Sequence, residues 1–303
     1  MSSKRVFKAV YCVWIVAPDG NPHWRALNEV AEGIFCALTK LGYGAYVYAG
    51  AVSPRFEHDR LIVFNAHVLP ESKRLPEDAI IFNAEQVPPV DAAVPLGWAA
   101  YLSRLKRHIV WDYSDTNRQR LAARGIDSVL CPVGHYAKIE RVPFCPNPDI
   151  DVLFYGSINE RRKKILTGLT DAGFSVKHLF GIYGEDRDAI IARSKVILNV
   201  HFYPAPIWEI FRCSYAIANG KCVVSEDGGS DFDLEAFADK ATVLCDYDQL
   251  VDRCAAMVRD ENERTRVALQ GHQLFAERDQ TSFVKQALKA TPERAKEDMV
   301  SHG

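Results

Sequence analysis

The segment Asp151-Val-Leu-Phe-Tyr-Gly156-Ser157 runs directly into Ile158-Asn-Glu-Arg161-Arg162-Lys-Lys164. The apolar run predicts a buried strand, the small residues predict a turn, and the basic run predicts the start of a helix. The turn and the helix N-terminus both direct backbone N–H groups outward, which suits a bound diphosphate. The basic residues have a simpler interpretation as a solvated helix face.

The same alternation of strand and helix patterns continues through the second half of the chain. Further strands are predicted at 175–181, 195–202, 221–226 and 241–247, with helices at 161–173, 185–194 and 207–219 and a long helical region from 249. Such alternation is typical of a parallel sheet covered by helices.

The first half repeats this pattern. Strands are predicted at 6–17, 45–50, 61–65, 79–83, 108–112 and 128–132, with helices between Asn21-Pro22 and Gly42, at 95–107 and at 115–124. Asn21 and Pro22 are typical of a helix start, and Gly42 is typical of a helix end.

Two prolines and several turn-forming residues separate the two halves, at Phe144-Cys145-Pro146-Asn147-Pro148-Asp149. A length of 303 residues fits two domains of about 150 residues each. We therefore predict a Rossmann-like domain over 1–145, a second over 150–275, and a helical tail over 276–303. The tail either packs back on the first domain or extends into solvent.

Composition limits the function. A net charge of −2 disfavours a general nucleic-acid binder, so any anion site must be local. The eight cysteines contain no C-x-x-C pair and no zinc-ligand spacing, which predicts reduced, buried thiols and no metal site. The N-terminus lacks signal-peptide features, and no apolar run reaches the ~18 residues of a membrane span. These observations predict a cytoplasmic protein without a transmembrane segment.

Ligands of parallel sheets bind beyond the carboxyl ends of the strands. In the second half, the polar and glycine residues near such ends are Tyr155, Gly156, Ser157, Arg161, Arg162, Tyr183, His201, Glu209, Arg212, Glu226, Gly228 and Gly229. We predict that they bind a nucleotide-sugar donor. Gly156, Ser157 and Arg162 would hold the diphosphate, and Glu226 would accept hydrogen bonds from ribose or sugar hydroxyls.

Other functions remain open for some of these side chains. His201 and Glu209 are assigned to the donor sugar, but Glu209 and Arg212 are also spaced for a simple helix-surface ion pair. In the first half, His23 follows the first strand and is a candidate general base, because histidine titrates near neutral pH. Glu85 and Asp112 are alternative bases at neighbouring strand ends, or carboxylates that merely bind loop N–H groups.

The sequence contains no G-x-G-x-x-G and no G-x-x-x-x-G-K-[ST]. It therefore lacks the main motifs that would identify a nicotinamide dehydrogenase or a P-loop protein. Three segments instead resemble the GT-B superfamily of glycosyltransferases, particularly its family-1/family-4-like bacterial members. Tyr155-Gly156-Ser157-Ile-Asn-Glu160-Arg161-Arg162 is similar to a strand with a G-R-L-x-x-E-K turn, and Ala192 to Leu198 is similar to a following strand. Tyr215-Ala-Ile-Ala-Asn-Gly220-Lys-Cys-Val-Val224 resembles E-A-x-A-x-G-x-P-V-V, and Gly228-Gly229 resembles the glycine pair after it.

The resemblance covers roughly 150–275 and has one clear departure. The second glutamate of the E-x7-E signature falls on Tyr215 and the first near Ile207, so the signature is absent. Retaining and inverting chemistry are therefore both open. The resemblance also implies a transferase that requires no metal.

The resemblance implies two Rossmann-like domains that face each other across a cleft. It implies that the second domain holds a UDP- or GDP-sugar and the first an acceptor, with no further cofactor and with closure about a hinge at Cys145 to Asp149. The acceptor would be a saccharide, lipid-linked saccharide, protein, small metabolite or modified nucleobase. A GT-B nucleotide-sugar epimerase and a non-catalytic nucleotide-binding module are the alternatives, and the missing glutamate favours the latter. The oligomeric state is not predicted.

Overall fold

The computed structural model describes residues 9–52, 54, 59–92, 95–202, 207–228 and 232–292. Two parallel sheets organise these residues. The first has the order β2-β1-β3-β4-β5-β6 and the second β11-β10-β9-β7-β8. In each sheet the strand order reverses beside the first strand of that sheet, which creates a crevice at the carboxyl ends.

The strands of the first sheet are β1 (Val10–Val16), β2 (Gly44–Gly50), β3 (Arg60–Phe64), β4 (Ile80–Asn83), β5 (Ile109–Asp112) and β6 (Val129–Leu130). Those of the second sheet are β7 (Ile150–Tyr155), β8 (Val176–Leu179), β9 (Ser194–Asn199), β10 (Cys222–Glu226) and β11 (Val243–Cys245). Each of these strands falls within a predicted strand or within one residue of it.

The helices are α1 (Asn28–Lys40), α2 (Trp98–Leu105), α3 (Asp115–Ala122), α4 (Glu160–Asp171), α5 (Glu185–Ala192), α6 (Ile210–Ala218), α7 (Phe232–Ala241), α8 (Leu250–Arg259), α9 (Glu261–Ala276) and α10 (Gln280–Ala290). Short 3-10 helices cover Pro22–Leu27, Ala66–Val68, Ala137–Ile139 and Tyr247–Gln249. In the part of the chain that the structure describes, no helix is long and apolar enough to cross a membrane.

Helices cover both faces of the first sheet, so its central strand is apolar on both sides. Val13 and Ile15 of β1 point into one apolar cluster, whereas Cys12, Trp14 and Val16 point into another. This alternation is the two-residue period of a strand. It explains why β1 reads in the sequence as one continuous apolar run.

The second half differs from the predicted pattern in three places. Helix α7 was not predicted, and it occupies the start of the predicted strand 241–247, so β11 is short. The predicted helical region from 249 is divided into α8 and α9, and α10 lies in the predicted helical tail. Asp260 ends the first of them and caps α9 by accepting a hydrogen bond from Glu263 N at 2.9 Å, and Asp279 caps α10 in the same way.

Helix α10 packs against α1 and β6 of the first sheet. The buried Gln280 side chain bonds the segment after β6, since its Oε1 accepts from Gly134 N at 2.7 Å and its Nε2 donates to Pro132 O at 3.1 Å. Beyond the helix, Trp111 Nε1 donates to Thr291 Oγ1 at 2.8 Å. The chain after the second sheet thus contributes to the core of the first.

The cysteines are free thiols, and six of them are buried. Burial raises the pKa of Cys12 to about 11 and that of Cys222 to about 12. These thiols stay protonated at neutral pH and behave as small apolar side chains, as the sequence predicted.

Gly134 tests the packing of α10. An added Cβ at Gly134 would lie 2.3 Å from the carbonyl oxygen of Arg278, which is backbone and has little freedom to move. We expect Gly134→Ala to lower the free energy of unfolding by about 1–3 kcal/mol in urea denaturation. Gly168→Ala in α4 is the control, because its Cβ meets only the Val251 side chain at 3.2 Å, and it should stay within about 1 kcal/mol of wild type. Equal stability of the two variants would contradict this packing.

Candidate active site

A cleft of about 460 Å³ lies beyond the carboxyl ends of both sheets. This volume is in the range of small-molecule sites. The predicted site residues that line it are His23, Tyr155, Gly156, Ser157, Tyr183, Glu209 and Arg212. Seven predicted residues from both halves of the chain therefore meet at one place.

The turn after β7 forms one wall. Gly156 has φ of 144°, a conformation that L side chains rarely adopt. Its carbonyl accepts a hydrogen bond from His178 Nε2 at 2.7 Å. Asn159 then caps α4 by accepting from Arg162 N at 3.0 Å. The turn is thus fixed at both ends, and Gly156 and Ser157 line the cleft.

Arg212 lies across this turn. A Cβ at Gly156 would come within 2.8 Å of Arg212 Nη2, so only glycine leaves room for the guanidinium. Arg212 Nη1 donates to Asn199 Oδ1 at 2.7 Å, and its carbonyl accepts from the Tyr155 hydroxyl at 2.9 Å. Among the described residues, no carboxylate lies within ion-pair distance of Arg212. Its positive charge is therefore available to a ligand in the cleft.

Glu209 stands immediately before α6 and faces the cleft. Its Oε2 accepts from Asn199 Nδ2 at 2.9 Å and lies 2.5 Å from His201 Nδ1, while Oε1 lies 3.5 Å from Arg162 Nη2. Burial alone would raise the pKa of Glu209, but His201, Arg212 and Asn199 together lower it to about 2. Glu209 is therefore a carboxylate at neutral pH, able to accept hydrogen bonds and unable to supply a proton.

Arg162 is turned into the protein, contrary to the diphosphate role predicted for it. Its side chain is buried, with Nε donating to Val200 O at 2.8 Å and Nη1 to Ser157 O at 2.9 Å. Burial lowers its pKa to about 10, which leaves it charged at neutral pH. Arg162 supports the turn from behind, because its donors are already engaged there.

Glu226, Arg161 and His201 lie behind the cleft wall. The Glu226 carboxylate accepts one hydrogen bond from each terminal nitrogen of Arg161 and another from His201 N at 3.0 Å. The Arg161 guanidinium also stacks on Tyr247, 4.0 Å from the ring centroid. The His201 ring is fully buried next to Glu209. These groups hold the ends of β9 and β10 together and do not line the cleft.

Gly228 packs on the backbone of Trp208, where an added Cβ would lie 3.0 Å from Trp208 N. It also does not line the cleft. Gly229, the other glycine predicted to bind the donor, lies outside the described residues.

Asp112 is buried beneath the cleft. Its oxygens accept from Asn83 Nδ2 at 2.6 Å, Ser114 N at 2.9 Å and Asn117 Nδ2 at 3.1 Å. Asn83 and Asn117 in turn donate to the carbonyl of Glu85. Asp112 thus organises the loop after β4 and has no access to an acceptor, which corrects its predicted role as a base.

Glu85, the other predicted base, does not line the cleft, and its Oε1 lies 3.3 Å from His67 Nδ1. The next residue, Gln86, lines the cleft and joins the two halves. It donates to Ile207 O at 2.7 Å and accepts from Ile207 N at 3.2 Å. A contact between Tyr113 and Phe211, with ring centroids 4.8 Å apart, extends this junction.

The sequence analysis missed a pair of charged residues at the cleft. Glu29 of α1 and Arg187 of α5 both line it and form a buried ion pair, with Oε1 and Nη2 2.7 Å apart. The guanidinium lies 4.1 Å from the ring centroid of Tyr215, the residue at the position of the missing signature glutamate. Arg141 Nε donates to the Tyr215 hydroxyl at 3.3 Å. No local pattern in the sequence connects Glu29 with Arg187.

A separate question is whether these side chains form a metal site. Among the residues that the structure describes, no group of three or more His, Cys, Asp and Glu side chains is arranged to hold a metal ion.

Comparison by sequence gives short matches. No protein-family profile matches the chain. It is 32% identical over 123 residues to uncharacterized protein L138 of Acanthamoeba polyphaga mimivirus, and 31% identical over 117 residues to uncharacterized protein L140 of that virus. The matches cover 40% and 38% of this chain and 14% and 38% of the viral proteins. The chain thus spans well under half the length of these relatives.

Comparison by structure is more informative. WaaG, a glycosyltransferase involved in lipopolysaccharide biosynthesis, matches 94% of this chain with all of its own, at 12% identity and a TM-score of 0.60. Anabaena HepE in complex with UDP and glucose matches 92% of this chain with 98% of its own, at 12% identity and a TM-score of 0.62. A mutant of T4 phage BGT in complex with UDP-glucose matches 94% of this chain with 100% of its own, at 12% identity and a TM-score of 0.62.

The chain has the GT-B glycosyltransferase fold. The predicted fold class is therefore confirmed, with two Rossmann-like parallel sheets of six and five strands that face each other across a cleft. In this GT-B chain the cleft is the place where residues from both sheets converge.

The buried Asp112 of this GT-B chain predicts a pH dependence of stability. Burial raises its pKa to about 7, against about 3.9 in an unfolded chain. Between these two pH values the folded state binds more protons, so the free energy of unfolding should fall as pH rises from about 4 to about 7. Above that range this contribution is constant.

Urea denaturation across this pH range checks the prediction. Asp112→Asn removes the titrating group, so its unfolding free energy should vary less with pH in that window. Its absolute stability should be lower, because the new amide would face Asn83 Nδ2. Equal pH slopes for wild type and variant would show that Asp112 does not titrate there.

Proposed function

We propose that the protein is a glycosyltransferase that moves a sugar from a nucleoside diphosphate to an acceptor hydroxyl. The observation that carries the proposal is the cleft itself. It brings the Gly156-Ser157 turn, Arg212 and the start of α6 together on one side and His23 on the other. The UDP and UDP-glucose complexes of the fold neighbours support a UDP-sugar donor, with a GDP-sugar as the alternative.

The diphosphate is assigned to Arg212 and to the backbone N–H group of Ser157, since the Gly156 N–H already donates to Leu179 O at 2.9 Å. The N-terminal end of α6 adds its partial positive charge at the same wall. These groups would stabilise the charge that develops on the leaving diphosphate. Since they supply that charge from the protein, we propose transfer without a metal ion. Activity should survive EDTA, and a loss that Mn²⁺ restores would contradict this part.

The sugar and the acceptor are assigned to opposite walls. Glu209 remains ionised and would accept hydrogen bonds from sugar hydroxyls. His23 would take the proton from the acceptor hydroxyl as its oxygen bonds to the anomeric carbon. The bond from that carbon to the diphosphate oxygen breaks, and the nucleoside diphosphate leaves with the electron pair. His201 and the Arg161–Glu226 pair would hold Glu209 and its strand ends in place.

Incubation with UDP- and GDP-sugars separates this function from the alternatives. Slow donor hydrolysis, or transfer to an added acceptor, supports a glycosyltransferase. Isomerisation of the sugar without an acceptor would identify an epimerase. Binding without any turnover would identify a non-catalytic module, which the tyrosine at position 215 favours as the second candidate.

Arg212 gives the sharpest test of donor binding. Arg212→Ala removes the cleft arginine that has no carboxylate partner among the described residues, and loss of a charge-assisted hydrogen bond costs about 1.5–3 kcal/mol. We expect the Kd for UDP, or for GDP if that is the donor nucleotide, to rise roughly 10- to 100-fold by isothermal titration calorimetry.

Arg193→Ala is the matched control. Arg193 pairs with Asp149 on the surface, with Nε 2.8 Å from Oδ1, and it does not line the cleft. The control should bind the nucleotide as wild type does, and circular dichroism should show both variants folded. Unchanged affinity in Arg212→Ala, or an equal loss in the control, would contradict the assignment.

A further inference from the structure

The loop from β8 to α5 extends from the second sheet toward the first. It contains Gly181 with φ of 73° and Gly184 with φ of 63°, both in the left-handed region. These two glycines bracket Ile182 and Tyr183, so the chain turns sharply before and after this dipeptide. The turns bring Tyr183 to the cleft wall opposite its own domain.

Tyr183 contacts His23 across the cleft. Its hydroxyl lies 3.0 Å from His23 Nδ1, and the His23 ring packs on Phe180 of the same loop, with centroids 4.6 Å apart. His23 N donates to Asn21 Oδ1 at 2.9 Å, which fixes the backbone. The ring is therefore held by one edge and one face, while Nε2 has no hydrogen-bond partner in the part of the chain that the structure describes.

The two nitrogens of a neutral imidazole differ, because only one carries a proton. The hydrogen bond made by one nitrogen decides which one that is. Burial raises the pKa of Tyr183, so its hydroxyl keeps its proton at neutral pH and is able either to donate to His23 Nδ1 or to accept from it. A base at Nε2 requires the second arrangement, because Nε2 keeps its lone pair for the acceptor hydroxyl only when Nδ1 carries the proton.

We propose that Tyr183 is a positioning residue that orients His23 and fixes its proton on Nδ1. The inference rests on the proposed function, in which His23 is the base. Since His23 belongs to the first domain and Tyr183 to the second, the base is oriented only when the cleft is closed. Closure around the donor would then activate His23 and exclude water in the same step, which limits donor hydrolysis.

A double-mutant cycle tests the positioning role. Tyr183→Phe should lower the kcat of transfer about tenfold and leave the donor KM unchanged. The expected loss is a fraction of the ~10²–10⁴-fold rate enhancement that general acid–base catalysis supplies. In the His23→Ala background, Tyr183→Phe should cause no further loss, because it acts through His23. Tyr46→Phe is the control, since it also removes a tyrosine hydrogen bond, to Asp59 Oδ2 at 2.7 Å, and it should keep wild-type kcat.

A spectroscopic measurement makes the result independent of turnover. Nitrogen-15 NMR of labelled histidine should show His23 protonated on Nδ1 in wild type and in Tyr46→Phe, and a mixture of tautomers in Tyr183→Phe. An unchanged His23 spectrum in Tyr183→Phe, or additive losses in the double variant, would overturn the inference. If wild type turns over no nucleotide sugar, the proposed function fails, while the NMR spectrum still decides the role of Tyr183.

Discussion

The buried ion pair between Glu29 and Arg187 is the interaction on which the cleft depends. It joins α1 of the first domain to α5 of the second, and both side chains are at most one-tenth exposed. Removal of Glu29 would leave the buried Arg187 with Asp188 alone, at 2.9 Å, and removal of Arg187 would leave Glu29 with the more distant Arg141, at 3.6 Å. The hydrogen bonds of Gln86 with Ile207 and of His23 with Tyr183 are weaker and more exposed, and they form in the arrangement that this pair holds. Closure of the cleft is thus built on α1 and α5, which leaves the strand-end loops available for ligands.

Much of the fold could be predicted because strands of a parallel sheet are buried on both faces. Such strands form continuous apolar runs, and β1, β9 and β10 were each found in this way. Caps were harder to predict, because Asp260 and Asp279 interrupt a region whose composition is helical throughout. An aspartate breaks such a region only when its carboxylate binds the next free N–H groups, as both residues do here.

The site could be predicted where backbone position alone decides the outcome. Gly156 and Ser157 line the cleft because they follow β7 directly, and Tyr183 lines it from the loop after β8. The prediction of cleft residues failed where the direction of a side chain decides whether the residue reaches the cleft. Arg161 and Arg162 are neighbours at the start of α4, and neither reaches the cleft, because one turns to Glu226 and the other to the carbonyls behind the turn. Sequence spacing gives the face of a helix and does not tell which acceptor a long side chain meets.

The charge balance of the second domain explains why one arginine is singled out. Arg161, Arg162 and Arg187 each lie near a carboxylate, namely Glu226, Glu209 and Glu29. Arg212 instead donates to the neutral amide of Asn199. A diphosphate that enters the cleft thus meets a guanidinium that is not in a close ion pair with any described carboxylate, at the turn where Gly156 leaves room for it. A chain with a net charge of −2 can attract an anion in this way, because a cation that lines the cleft matters more at short range than the total charge.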